Sequence, residues 1–277
     1  MYSTIGLLKH SKRGGKLTGT HQRLDRAARA WLTQLAPVVD FPSAKEIIYF
    51  EGMRGPDGLK RKSPGQDESL HFILPDADDG KLVKEMLDHQ YNLRKALKAG
   101  DRVRASFEAA WLAHVITDGL TPAHHFPYQE AVKELMSEKE YATIFGQPIK
   151  GIMRGDSLAE AARNNWLYWG AEGLMTKHIA FEYGVALVAA PLRNKALTPV
   201  LKPAELQQLK AHAAELDLKT EFYKSLHKID NLKMYDRFRQ KGWNAELALE
   251  SKEILLPEIV KMITIGWLSS LPKETES

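Results

Sequence analysis

The stretch DRVRASFEAAWLAHVITDGLTPAHH, residues 101–125, carries the most structural information in the chain. Phe107, Trp111, His114 and Asp118 recur at the three-to-four-residue spacing of a helix. One face therefore starts aromatic and ends in an imidazole and a carboxylate. Gly119 and Pro122 then stop the helix and turn the chain, which can bring His124 back towards the same place. Polar groups on an inward face need partners, and a metal ion would satisfy both at once.

Outward from this segment, helical periodicity dominates. The spacing predicts helices over 20–36, 44–50, 80–98, 101–118, 128–141, 158–188, 204–216, 221–228 and 231–271, the last with a break near Leu256-Pro257. In the first of these, Leu24, Ala28, Trp31 and Leu35 share a face. Residues 52–79, rich in Gly, Pro and Asp, and residues 145–156 read as loops. No alternating strand, repeat or dividing linker appears. The expected architecture is all-α, a single multi-helix domain over residues 1–277 with a short polar tail at 272–277.

The composition of this 277-residue chain, 44% hydrophobic and 27% charged, is that of an ordinary globular protein. The absence of cysteine excludes disulfides and thiolate-bound zinc. A net charge of +4 would help attract anionic substrates such as nucleic acid or phospholipid head groups, without choosing between them. Only the short apolar run at 5–8 precedes the basic residues Lys9, Lys12, Arg13 and Lys16, so no signal peptide is visible; no apolar run has the length of a membrane span. The expectation is a cytoplasmic protein, or a secreted one if the chain is already processed. Nothing in it indicates an oligomeric state.

A second pair, His178 and Glu182, repeats the four-residue spacing of His114 and Asp118, with Phe181 and Val185 giving that helix an inward face. Imidazole nitrogen and carboxylate oxygen are zinc ligands. With 35 acidic residues among 277 positions and 10 histidines, chance puts about one acid four residues after a histidine. Three occur: Asp25 after His21, Asp118 after His114 and Glu182 after His178. Each pair alone fits a surface or core hydrogen bond better than it fits a metal. Asp25 reads as a residue that orients His21 or as a surface charge. His89, His212 and His227 have no acid at the helical offset and read as surface or core residues.

The chain resembles the zinc-dependent phospholipase C family, which shares its fold with the zinc-dependent single-strand nucleases and 3′-nucleotidases. The residues that carry the resemblance are Gly19-Thr20-His21, then GMRGPD ending in Asp57, then HFILPD beginning at His71. His114, Asp118, Thr121, Pro122 and His124 follow in the pattern His-x-x-x-Asp then Thr-Pro-x-His, and the last element is His178 with Glu182. Glu182 and Thr121 lean towards the phospholipase branch. Two adjacent histidines compete at the turn, and the family register favours His124 over His125.

The resemblance implies a cluster of two or three zinc ions between helices. Asp57, His71, His114 and Asp118 would hold one ion, and His124, His178 and Glu182 another. His21 would hold a third with Asp118 as a bridge. A metal-activated water would hydrolyse a phosphodiester, with Asp57 also as a general base. The expected substrate is a phosphoester, a phospholipid head group or a nucleotide, and the alternatives are a single-strand nuclease or 3′-nucleotidase, or a non-catalytic all-α scaffold with a residual metal site.

Three departures qualify this expectation. The N-terminal Trp that completes the family's third zinc site has no counterpart, since Ser11 stands ten residues before His21. The interval from His124 to His178 is longer than in the family and reads as an insertion over about 126–168, whose Trp166, Tyr168 and Trp169 line a pocket or belong to the core. No strand-rich lipid-binding segment follows the helices, so stable membrane insertion is not implied.

Overall fold

A computed structural model describes residues 19–37, 39–51, 55–56, 72–76, 80–135, 155–212 and 215–272. Asp57 and His71, residues 136–154 of the expected insertion and residues 273–277 of the expected tail lie outside the described residues.

The described residues form helices and loops, as expected of an all-α chain. They are α1 (Thr20–Leu35), α2 (Ala44–Tyr49), α3 (Gly80–Lys98), α4 (Arg102–Gly119), a 3₁₀ turn (Pro122–His125), α5 (Tyr128–Leu135), α6 (Leu158–Trp169), α7 (Leu174–Ala189), α8 (Asn194–Leu197), α9 (Pro203–His212), α10 (Leu218–Asp230), α11 (Met234–Lys241), α12 (Ala245–Glu250), a π turn (Ser251–Leu255) and α13 (Leu256–Leu268). No described helix is long and apolar enough to cross a membrane.

Two helices lie at the centre, α4 and α13. Helix α13 is apolar nearly all round, the composition of a helix buried on every side, and α4 is buried along most of its length beyond its exposed first residues. In α13, Ile259, Val260, Met262, Ile263 and Trp267 are all inaccessible to solvent. Helix α1 packs along α13 and α3 along α4. Gly266 lets α13 approach α4 closely: a Cβ there would lie 3.0 Å from Ile116. The indole of Trp267 donates to the Ala109 carbonyl at 3.0 Å, which satisfies its one polar atom inside the core. Helix α2 is fastened to the start of α4, because Arg102 reaches Glu46 at 2.8 Å and also pairs with Asp40.

Two expected helices divide. Residues 158–188 break at Gly170 and Gly173, which cap the end of α6 and the start of α7. The helical character of Ala171 and Glu172 hides this stop in the sequence. Residues 231–271 break instead at Gly242, whose φ of 69° ends α11. Pro257, the expected break point, interrupts nothing. It occupies the first turn of α13, where its missing N–H costs little, and the preceding π turn carries the chain into it through a bond from Leu256 N–H to the Ser251 carbonyl.

Candidate metal centre

Four elements bring six titratable side chains into two buried groups. His21 stands on the first turn of α1, His114 and Asp118 on the last two turns of α4, and His124 on the 3₁₀ turn. His178 and Glu182 lie one turn apart on α7. The first group is His21, His114 and Asp118; the second is His124, His178 and Glu182. Within each group one ligand atom per residue lies within 4.8 Å of the others, so each could hold a metal ion.

The chain reaches this arrangement by local rules. Leu120 N–H donates to Ile116 and Thr121 N–H to Asp118, which closes α4, and the Thr121 hydroxyl donates to the Thr117 carbonyl at 2.7 Å. His124 N–H then donates to the Thr121 carbonyl at 2.8 Å, folding the histidine back beside the helix end. The Ile73 N–H donates to the His124 carbonyl at 3.0 Å and ties the 72–76 segment to the turn. Helix α7 is seated by Phe181, which packs against Tyr235, Phe238 and Trp243. The Trp243 indole donates to the Ala180 carbonyl at 3.1 Å. Gly184 makes this seat possible, since a Cβ there would lie 1.9 Å from the Trp243 ring.

In the first group Asp118 uses both oxygens: Oδ1 is 3.2 Å from His21 Nε2 and Oδ2 is 3.2 Å from His114 Nε2. In the second, Glu182 Oε1 is 2.9 Å from His124 Nε2 and 3.2 Å from His178 Nε2. A tetrahedral ion with bonds of about 2.0 Å separates its ligands by about 3.3 Å, close to these spacings. All six residues are 9% exposed or less, so water hardly reaches them. His21 has both ring nitrogens buried without a hydrogen bond, and so has His178 at Nδ1. Buried polar atoms without partners are uncommon, and a cation among neutral imidazoles and carboxylates supplies what they lack. The donor set of nitrogen and oxygen suits zinc.

The electrostatics of the two groups differ. Burial opposes a charge on His114, yet Glu51 and Asp118, one beside each nitrogen, override it and hold its pKa well above the ordinary histidine value. On His124 burial prevails over Asp118 and Glu182 and pushes the pKa down. Glu182 is buried as well, with Oε1 between the Nε2 atoms of His124 and His178.

Of the eight expected metal-ligand positions, the six described ones fall into these two groups; Asp57 and His71 lie outside the described residues. His125 turns away. Its Nε2 is 3.0 Å from the Gly119 carbonyl and its Nδ1 faces Asp230 at 3.8 Å. Asp25 is buried at 1% exposure and is not a surface charge; burial and then the charge of Glu51 hold its carboxyl well above the usual range, against the pull of His114.

Two participants escape sequence reasoning, and so does one ion pair outside the two groups. Glu51, between the expected helix over 44–50 and the expected loop over 52–79, is buried with Oε1 3.1 Å from His114 Nδ1. Phe72 stacks on His124 and on Tyr128, with ring centroids 5.0 and 4.9 Å apart, and forms an aromatic wall beside the second group. His89 meets Glu108 at 2.6 Å across α3 and α4, a pair that an offset within one helix cannot reveal. Among the expected pocket aromatics, only Tyr168 is buried, with Tyr128 donating to its hydroxyl; Trp166 and Trp169 are exposed.

No family model, no curated protein and no solved structure matches this chain.

Proposed function

We propose that the chain is a metal-dependent phosphoester hydrolase, most like the zinc-dependent phospholipase C family, with one divalent cation at each buried group. The observation that carries this reading is the convergence of His21, His114 and Asp118, and of His124, His178 and Glu182, at ligand-like spacings from four separate elements. Two independent groups of this composition, both shielded from water, are more than core packing requires.

Bound zinc would supply a water of lowered pKa and positive charge for phosphoryl oxygens. Asp118 faces both imidazoles of the first group, one with each oxygen, and would supply the anionic charge of that position. His124 and His178 direct Nε2 inwards, and Glu182 supplies the anionic charge of the second position. Asp57 keeps its proposed double role as ligand and general base. Phe72, stacked on His124 and Tyr128, places an aromatic ring next to the second group, a feature that suits a lipid phosphodiester and a stacked base alike.

Elemental analysis of the purified protein, together with hydrolysis of phosphatidylcholine and of single-stranded DNA with and without chelator, tests the proposal. Two or more zinc ions per chain and chelator-sensitive release of phosphocholine are expected. Cleavage of DNA alone would move the assignment to the nuclease branch. Stoichiometric metal with neither activity would favour a structural metal site, and no metal at all would end the hydrolase reading.

A further inference from the structure

We infer that Glu51 is the positioning residue of the first group: its buried carboxylate holds the Nδ1–H of His114 and so presents Nε2 of that ring to a cation shared with Asp118 and His21. The inference rests on the metal reading above and assigns a role to a residue outside the ligand set.

An imidazole carries two nitrogens with opposite duties. The one that binds a cation must be bare, and the other then carries the proton and needs an acceptor. On His114, Nε2 lies 3.2 Å from Asp118 Oδ2 and Nδ1 lies 3.1 Å from Glu51 Oε1. An ionised carboxylate accepts and cannot donate, so Glu51 favours the proton on Nδ1. The reverse tautomer would leave a bare Nδ1 against the Glu51 oxygen, whereas a bare Nε2 facing Asp118 is relieved by the cation that the two would share. Both side chains are removed from water, which strengthens the preference.

The fold holds Glu51 in place from both sides. It follows α2 directly, and its N–H donates to the Ile48 carbonyl at 3.2 Å. The start of α2 carries a reciprocal cap between Ser43 and Glu46, and Glu46 is clasped by Arg102 of α4. The helix that bears His114 is therefore the one that anchors the segment bearing Glu51. The second group has no such device at His178, whose Nδ1 is buried without a hydrogen bond.

Zinc titration against a competing chelator tests the inference, with Glu51→Gln compared with wild type and with Glu182→Gln as the reference for loss of the second position. Glu51→Gln is expected to weaken zinc at the first position by about 10- to 100-fold while the second keeps its affinity. Glu51→Asp is expected to recover part of the loss. Because Glu51→Gln can also disturb folding, the tautomer is read independently in zinc-loaded wild type by nitrogen-15 NMR of the His114 ring, where a protonated Nδ1 and a metal-shifted Nε2 are expected. Wild-type affinity at both positions in Glu51→Gln, or zinc on Nδ1 of His114, would overturn the positioning role and leave the metal reading intact. Wild-type protein that binds zinc at neither position would overturn both.

Discussion

The carboxylate of Asp118 faces His21 across two helices, Oδ1 to Nε2 at 3.2 Å, while its other oxygen turns to His114. One short side chain thus joins α1 to α4 at a point sealed from solvent. If cations occupy the two groups, they are part of what holds the helices together. A ligand at 100 times its Kd stabilises the native state by about 2.7 kcal/mol, so chelation is expected to lower Tm by about 5 °C or more. Asp118→Asn, similar in shape but uncharged, should cost at least about 100-fold in zinc affinity at the first group and blunt this response. Differential scanning fluorimetry with and without chelator measures both.

His124 and His125 are neighbours in sequence with different surroundings. His124 joins Glu182, whereas His125 bonds Gly119 and faces Asp230. His124→Ala is expected to remove the second equivalent of zinc. His125→Ala should retain both equivalents and lose stability only, by about 1–3 kcal/mol. Metal content per chain after gel filtration, read beside urea unfolding, separates the two, and zinc loss with His125→Ala would reverse the assignment.

Gly184 sits one turn or less beyond Glu182 on α7, against the ring of Trp243. Gly184→Ala would place a Cβ 1.9 Å from that ring, so either Trp243 leaves its place on Phe181 or α7 shifts. The expected cost is about 3 kcal/mol, the upper range for overpacking. Zinc affinity should fall at the second group and not at the first. Equal effects at both groups would show that α7 does not carry its site independently.

Glu258 provides a pH-dependent element remote from the metal groups. Burial opposes its ionisation, but Lys228 at 2.5 Å, Lys261 at 2.9 Å and the Ser225 hydroxyl at 2.7 Å hold its pKa below the ordinary carboxylate value. A carboxyl with a depressed pKa in the folded state contributes stability above its unfolded pKa and loses it as pH falls through the folded one. Glu258→Gln is accordingly expected to destabilise by about 1–3 kcal/mol at pH 7, with the difference from wild type closing under acid. Urea midpoints over a pH series follow this, and a gap independent of pH would exclude the ion pairs as its source.

The helical class and the two one-turn pairs, His114 with Asp118 and His178 with Glu182, were legible in the residues themselves, because a period of 3.6 and a spacing of four are local properties of the chain. So was the turn at Thr121-Pro122 that returns His124. The split between α6 and α7 was obscured because Ala171 and Glu172, between two glycines, have the intrinsic preference of helix interiors. Only the tertiary structure decided which residues meet. His21 reaches Asp118, and Glu51 reaches His114, through packing of α1 and α2 against α4. No periodicity records such contacts, because they depend on how whole apolar faces are buried against each other.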